Sequence, residues 1–391
     1  MRPARVASHV ASSVARAVSV VDSVLATDRR QARVLVDVRT PMNLAVMRPV
    51  WKRLHDDPRV FVAFAAETPE TVSDALRADK LDGRLLSRLQ ASWKRWDLAL
   101  SADAWNQTDL SRCRRRMNFF HGVAGKYDLD NPGRLAAAEL RRFDRIAFIN
   151  RDRMERYLSA GIVSDDRAVL VGYPKSDDLF NEIWSARDVR ASLGLAPETR
   201  TVLYAPTFST SSSLHAAGIE IVDTLLDIGV NVIVKLHDRS MTPHPQYTGG
   251  IDWPARFAAF AESPGFALVR DADIGPYLAA ADVLVTDHST VGFEFAALDR
   301  PVIVFDVPEL LHAARIDPDK WALLRSMADV VRHPDELRDA VTRADPARHR
   351  EPRKRARALF AFPGTATERA LAVVYELLER AGPDARPTRY P

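Results

Sequence analysis

The stretch Val283–Glu294, VLVTDHSTVGFE, decides the fold. A short apolar run, VLVT, gives way to Asp287, His288, Ser289 and Thr290, and a helical pattern follows from Phe293 to Leu298. A strand covered on both faces reads as a continuous apolar run rather than as an alternation. Asp, Ser and Thr are favoured where a helix begins. The stretch therefore reads as strand, turn and helix, the repeating unit of a parallel sheet. A helix start at a strand's carboxyl end presents unbonded N–H groups and a partial positive charge, which suits a phosphate. An ordinary turn capped by Ser or Thr fits the same residues.

Working outward, the same unit recurs along the chain. Downstream of Arg200 the expected strands are Thr201 to Tyr204, Val230 to Lys235, Phe266 to Val269, Pro301 to Phe305 and Asp329 to Val331. Upstream they are Ala32 to Val38, Val60 to Ala65, Asp97 to Leu100, Met117 to Phe120, Arg145 to Ile149 and Ala168 to Val171. Helical stretches separate them, as in Pro41 to Leu54, where Val46, Val50 and Leu54 recur at helical spacing. The expected fold is α/β, with two Rossmann-like domains facing across a cleft. Its expected parts are an N-terminal helix or tail (1–30), a first domain (31–180), a linker (181–200), a second domain (201–365) and a C-terminal helix and tail (366–391). That helix, near Ala366 to Leu378, is expected to cross back to the first domain.

Composition narrows the classes. The 391 residues are 47% hydrophobic and 27% charged, in the range of a globular protein. No run reaches the roughly 20 apolar residues that span a bilayer. Charges at Arg16 and Asp22 interrupt any targeting core in the first 30 residues, so an amphipathic or frayed helix is expected there. The single cysteine, Cys113, excludes an internal disulfide framework and a Cys-based zinc site. A cytoplasmic setting fits best. Net charge is only +3, and no stacking aromatics interleave with the basic residues, so no nucleic acid is expected as a partner. Short basic clusters at Arg112 to Arg116 and Arg350 to Arg357 read as solvated faces, with an anionic membrane or polymer as the alternative. No G-x-G-x-x-G and no P-loop occurs, and no His or Cys spacing suggests a metal. Neither cofactor nor metal is expected.

Ligands of open α/β sheets bind beyond the carboxyl ends of the strands. Only eight of the 55 basic residues are lysine, and three of these fall just after expected strands. Lys235 and His237 share one side of VIVKLHDR (232–239) and suit a phosphate dianion. His121 follows a strand in NFFHGVAGKYDLD (118–130), beside Gly122 and ahead of Lys126, and suits a general base. Lys175 and Asp177 stand beyond a turn in VGYPKSDDL (171–179), and Thr207 follows the strand in TVLYAPTFST (201–210). Each of these also reads as ordinary turn or strand-end chemistry.

Taken together and in this order, HGxxxK, GYPxxD, YAPT, KxH and TDxSS-FE resemble the family of CDP-glycerol:poly(glycerophosphate) glycerophosphotransferases. The resemblance covers roughly residues 115 to 375. It implies a GT-B-type fold and transfer of glycerol phosphate, or a related polyol phosphate, from a CDP-activated donor. The implied acceptor is a hydroxyl of a cell-envelope polymer or of its lipid-linked precursor. The enzyme is expected in the cytoplasm, as a peripheral protein on the inner face of the plasma membrane.

By the same resemblance, His121 and His237 are catalytic. Lys126, Lys235, Thr207, Asp287, Ser289, Thr290 and Glu294 bind the donor, and Lys175 and Asp177 are secondary candidates. The chain departs from the family's pattern at several points. Lys175 stands for Arg, KLHD for KLHP, TDHST for TDYSS, Phe208-Ser209 for Trp-Arg, and Phe120 for Trp. The alternatives are a GT-B glycosyltransferase or UDP-sugar epimerase using another nucleotide-activated donor, and a nucleotide-binding protein without catalysis.

Overall fold

The structure is a computed structural model and describes residues 31–104, 108–123, 137–314 and 316–380. The N-terminal segment 1–30, the tail 381–391 and the candidate Lys126 lie outside the described residues.

Two parallel sheets carry the fold. The first contains β1 (Ala32–Val38), β2 (Val60–Ala66), β3 (Leu85–Ser87), β4 (Trp96–Ser101), β5 (Cys113–Phe119), β6 (Arg145–Phe148) and β7 (Ala168–Leu170), in the order β3-β2-β1-β4-β5-β6-β7. The second contains β8 (Thr201–Tyr204), β9 (Asn231–Lys235), β10 (Phe266–Val269), β11 (Val283–Thr286), β12 (Val302–Phe305) and β13 (Ala328–Val331), in the order β10-β9-β8-β11-β12-β13. Strand order reverses between β1 and β4 in the first sheet and between β8 and β11 in the second. Such a reversal opens a crevice at the strands' carboxyl ends. The stretch Val283–Glu294 thus lies on the crevice of the second sheet.

The helices that shape the site are α1 (Pro41–Asp56), α2 (Arg151–Ser159), α3 (Ser213–Asp227), α4 (Val291–Ala296), α5 (Pro318–Ser326) and α6 (Ala366–Leu377). Helix α1 starts with a capping box, in which Thr40 and Asn43 satisfy each other's backbone N–H. Its buried stripe, Leu44, Met47, Val50, Trp51 and Leu54, has helical spacing and packs on the sheet.

One hydrophobic cluster runs through both domains, from Val34 and Phe64 to Leu203, Leu284 and Phe293. Helix α6 adds Ala370, Leu371 and Val374 to it and does cross back to the first domain. There Tyr375 donates to Asp57 at 2.6 Å and Arg145 pairs with Glu376 at 2.7 Å. Gly172, after β7, has φ +89°, and any Cβ there would lie 2.1 Å from the Ala361 carbonyl. Only glycine lets that connection pass.

Sequence patterning missed β3, a three-residue, half-buried edge strand. It also began β5 too late. Arg114, Arg115 and Arg116 belong to β5 and are held by Glu379, Asp144 and the Leu110 carbonyl. In the second basic cluster, Arg350 and Arg353 bind Asp299, and Lys354 binds Glu351. Much of this charge is therefore neutralised within the chain. The expected linker carries a helix, Ala186–Ser192, whose buried Arg190 binds Asp282 and the Ala280 carbonyl of the second domain. Among the described residues, no helix is long and apolar enough to cross a membrane.

Candidate active site

The loop after β11 has two inward and two outward side chains. Asp287 is fully buried and accepts from Thr207 N (2.9 and 3.1 Å), Ser213 N (3.1 Å) and Ser213 Oγ (3.0 Å). It ties the β11 loop to the loop after β8 and to the start of α3. Burial raises its pKa, against the lowering effect of these bonds. Asp287 was expected to line the phosphate seat; in this structure both of its oxygens accept from the protein's own donors. Thr207 is likewise buried, with its N–H on Asp287, so its backbone belongs to this tether. His288 also turns inward. Ser289 and Thr290 are half-buried, at the start of α4 and on the cleft side.

At the end of β9, Lys235 is 94% buried and its Nζ donates to the Leu236 carbonyl at 2.8 Å. Burial lowers its pKa, while Asp238, Asp271 and Asp273 pull it back up. His237 accepts from Arg239 N at 3.1 Å through Nδ1, so the neutral ring carries its proton on Nε2. Phe208 packs at a tilt against that ring, centroids 4.3 Å apart, and Arg239 lies over Phe208 at 4.7 Å. Asp238 reaches across the cleft and accepts from Met42 N, in the first turn of α1, at 2.8 Å. In the sequence Asp238 shows only as the last residue of KLHD, where the resembled pattern has proline. The structure makes it a bond between the domains.

From the first domain, His121 follows β5. Its Nδ1 lies 2.6 Å from the Ala102 carbonyl, just beyond β4, and 3.7 Å from Asp103. A carbonyl only accepts, so Nδ1 carries the hydrogen and the neutral ring's lone pair sits on Nε2. The two histidines therefore hold opposite tautomers, one suited to accept a proton and the other to donate. Gly122 has φ +79°, and a Cβ there would lie 3.2 Å from Thr290 Cγ2, so the HG turn abuts the β11 loop. Arg153 of α2 braces this turn. It donates to the Gly122 carbonyl at 3.0 Å and stacks on Phe120 at 4.0 Å.

Lys175 enters from the turn after β7 and pairs with Glu294 of α4 at 3.1 Å, with both side chains nearly buried. Burial disfavours the ammonium, but Glu294 outweighs it and the Lys175 pKa is raised. Glu294 was expected to reach a ligand hydroxyl; here its carboxylate is held by Lys175. Asp177 leaves the cleft. Its two oxygens accept from Ala366 N (3.1 Å) and Thr367 N (2.6 Å), capping α6.

The structure thus gathers His121, Lys175, Lys235, His237, Ser289, Thr290 and Glu294 at the facing carboxyl ends of the two sheets. Asp287 and Thr207 stand behind the loop, and Asp177 caps α6. Lys175 and Lys235 both act on the charge of Asp238, which places two of the three singled-out lysines at one focus. Sequence reading missed Arg153 and the role of Asp238; a pattern of small spacings carries no sign of a partner in another domain. Among the described residues, no group of three His, Cys, Asp or Glu side chains is placed to hold a metal.

Two parallel-sheet α/β domains with facing strand ends define a GT-B-type protein. Comparison with known proteins carries this further. Residues 129–378 match CDP-Glycerol:Poly(glycerophosphate) glycerophosphotransferase, and the chain belongs to that family. The teichoic acid glycerol-phosphate primase of Bacillus spizizenii is 26% identical over 192 residues, which cover 46% of each chain. The match spans less than half the length of such curated relatives. A variant of the wall teichoic acid polymerase TagF, solved after a soak with CDPG, superposes with a TM-score of 0.67 at 15% identity, over 96% of this chain and 97% of that one. The UDP-GlcNAc 2-epimerase of Neisseria meningitidis, bound to UDP-GlcNAc, superposes with a TM-score of 0.57 at 14% identity, over 89% of this chain and all of that one.

Proposed function

We propose that this chain transfers glycerol phosphate from CDP-glycerol to a hydroxyl of a teichoic-acid-type polymer or of its lipid-linked precursor. The observation that carries the reading is the contact of the His121-Gly122 turn with Thr290. It sets a base on one lip of the cleft directly against hydroxyls and cationic donors on the other. Family membership favours this reading over a glycosyltransferase or an epimerase.

In the proposed step, His121 Nε2 takes the proton of the acceptor hydroxyl. The acceptor oxygen bonds to the β-phosphorus, and the bond from that phosphorus to the oxygen bridging it to the α-phosphorus breaks. CMP leaves with the electron pair. Charge builds on the equatorial oxygens and on CMP, and fixed donors aimed there lower the barrier. Lys235, the Nε2–H of His237, Ser289 Oγ and Thr290 Oγ1 are such donors. Lys235 gains from this, since an arriving phosphate restores the stabilisation that burial removed from its ammonium. Lys126 is, by the resemblance, a further donor-binding residue. The acceptor approaches from the first domain, and Arg355 and Arg357, exposed on helix 350–358, offer an anionic membrane surface a second contact.

The test is release of CMP from CDP-glycerol by the purified protein with a glycerol-phosphate-primed lipid acceptor. His121→Asn should lower kcat by about 10²-fold or more, with CDP-glycerol binding retained in calorimetry. Turnover of a UDP-sugar without CMP release would sink the proposal. Binding without turnover, unaffected by His121→Asn, would make the chain a binding protein.

A further inference from the structure

His288 stands where the resembled family has tyrosine, between the buried tether Asp287 and the cleft residue Ser289. Its side chain is 1% exposed and points away from the cleft. Its Nε2 faces Asp306 Oδ1 at 3.6 Å, and its ring packs on Trp321 with centroids 5.1 Å apart. Asp306 follows β12 directly. Its Oδ1 also meets Arg325 Nη1 at 2.5 Å, and its Oδ2 meets Arg332 Nε at 3.2 Å. Burial would raise the Asp306 pKa, but the two arginines outweigh it and keep the carboxylate ionised.

Trp321 and Arg325 lie four residues apart on α5, hence on one face, and the guanidinium covers the indole at 4.4 Å. Leu324 of the same helix packs so closely on Gly292 of α4 that a Cβ there would sit 2.8 Å from it. The other end of α5 touches the first domain. Its N-cap Asp317 binds Arg156 at 2.9 Å, and Lys320 binds Asp152 at 3.1 Å, both partners being on α2.

We propose that His288, Asp306 and Arg325 are positioning residues that fix the Ser289–Thr290 loop from behind, and that α5 couples this loop to the contact between the domains. The proposal rests on reading that loop as the donor's phosphate seat. Asp287 holds the loop from the β8 side and the His288–Asp306–Arg325 brace from the β12 side, so the backbone that carries the two hydroxyls is held from both sides. Because α5 carries both the brace and the salt bridges to α2, the loop is held most firmly when the domains are together.

The experiment measures CDP-glycerol affinity by calorimetry, donor and acceptor KM, kcat and thermal midpoint in His288→Phe, Arg325→Met, their double variant and Arg325→Lys. Each of the first two should weaken donor affinity and raise donor KM about tenfold or more, with acceptor KM unchanged. The double variant should be no worse than the poorer single one, since both act through Asp306. Arg325→Lys, which keeps the charge, should recover most of the affinity. Should His288→Phe fold poorly, the Arg325 pair carries the test alone. A lower thermal midpoint with unchanged donor affinity would show a merely structural cluster, and additive losses would break the idea of a single brace. Arg156→Gln with Asp152→Asn should lower donor affinity about threefold without touching the loop; no change would remove the coupling through α5. A wild-type chain that binds no CDP-glycerol would overturn the function reading itself, and this proposal with it.

Discussion

Lys175 and Glu294 show that a ligand candidate can already hold a partner within the fold. Both were expected to meet a ligand, and both face the cleft, yet they bind each other. Removing one partner of a buried pair leaves the other charge stranded, which costs about 3–5 kcal/mol. Lys175→Met should therefore destabilise the protein by roughly that much in urea titration, while Lys175→Arg should stay near wild type. Equal stability in the two variants would show that the pair contributes nothing. Asp287 teaches the complement. In sequence it is an ordinary N-cap candidate, and nothing local separates a cap from a buried tether. What decides is the loop carrying Thr207, 80 residues earlier in the chain. Ser289, Thr290, Lys235 and His121 were legible because their placement follows from a strand ending beside them.

Among the elements, the fully buried strands were the most legible. β8 and β11 begin and end where expected, because burial on both faces keeps them almost wholly apolar; β10, a partly buried edge strand, still shows as the apolar run FALV. β3 and the front of β5 were not. A three-residue, half-buried edge strand is too short to show a pattern, and the arginines of β5 point to a rim where Glu379, Asp144 and the Leu110 carbonyl hold them. Helix α6 was expected in place, but its cap was not. Its own N-cap, Thr365, makes no capping bond, and Asp177 supplies one from 189 residues away. Asp177→Ala should cost about 1–2 kcal/mol and speed amide exchange at the start of α6. An unchanged exchange rate there would show that the helix needs no such cap.

For the molecule as a whole, His288 gives stability a definite pH dependence. Burial pushes its pKa down to about 4, while an unfolded histidine titrates near 6.5. Between those values the unfolded chain binds a proton that the folded chain refuses. Stability contributed by the neutral buried ring is therefore complete above about pH 6.5 and falls as pH drops toward 4, by up to about 3 kcal/mol. Thermal melts between pH 7 and 4 should show a shallower loss for His288→Phe than for wild type. Parallel curves would mean that the ring is protonated in the fold.

The return of α6 to the first domain also constrains how the protein is made. A ribosome delivers residues from the amino end, so the first sheet emerges complete by residue 170, long before residues 366–377. Until then the surface of α1 that meets Leu371 and Val374, and the Asp57 carboxylate that meets Tyr375, have no cover. The first domain must wait, partly bare, while the whole second domain is synthesised. Its closure waits for α6, and any nascent chain stalled before α6 exposes an incomplete core to chaperones.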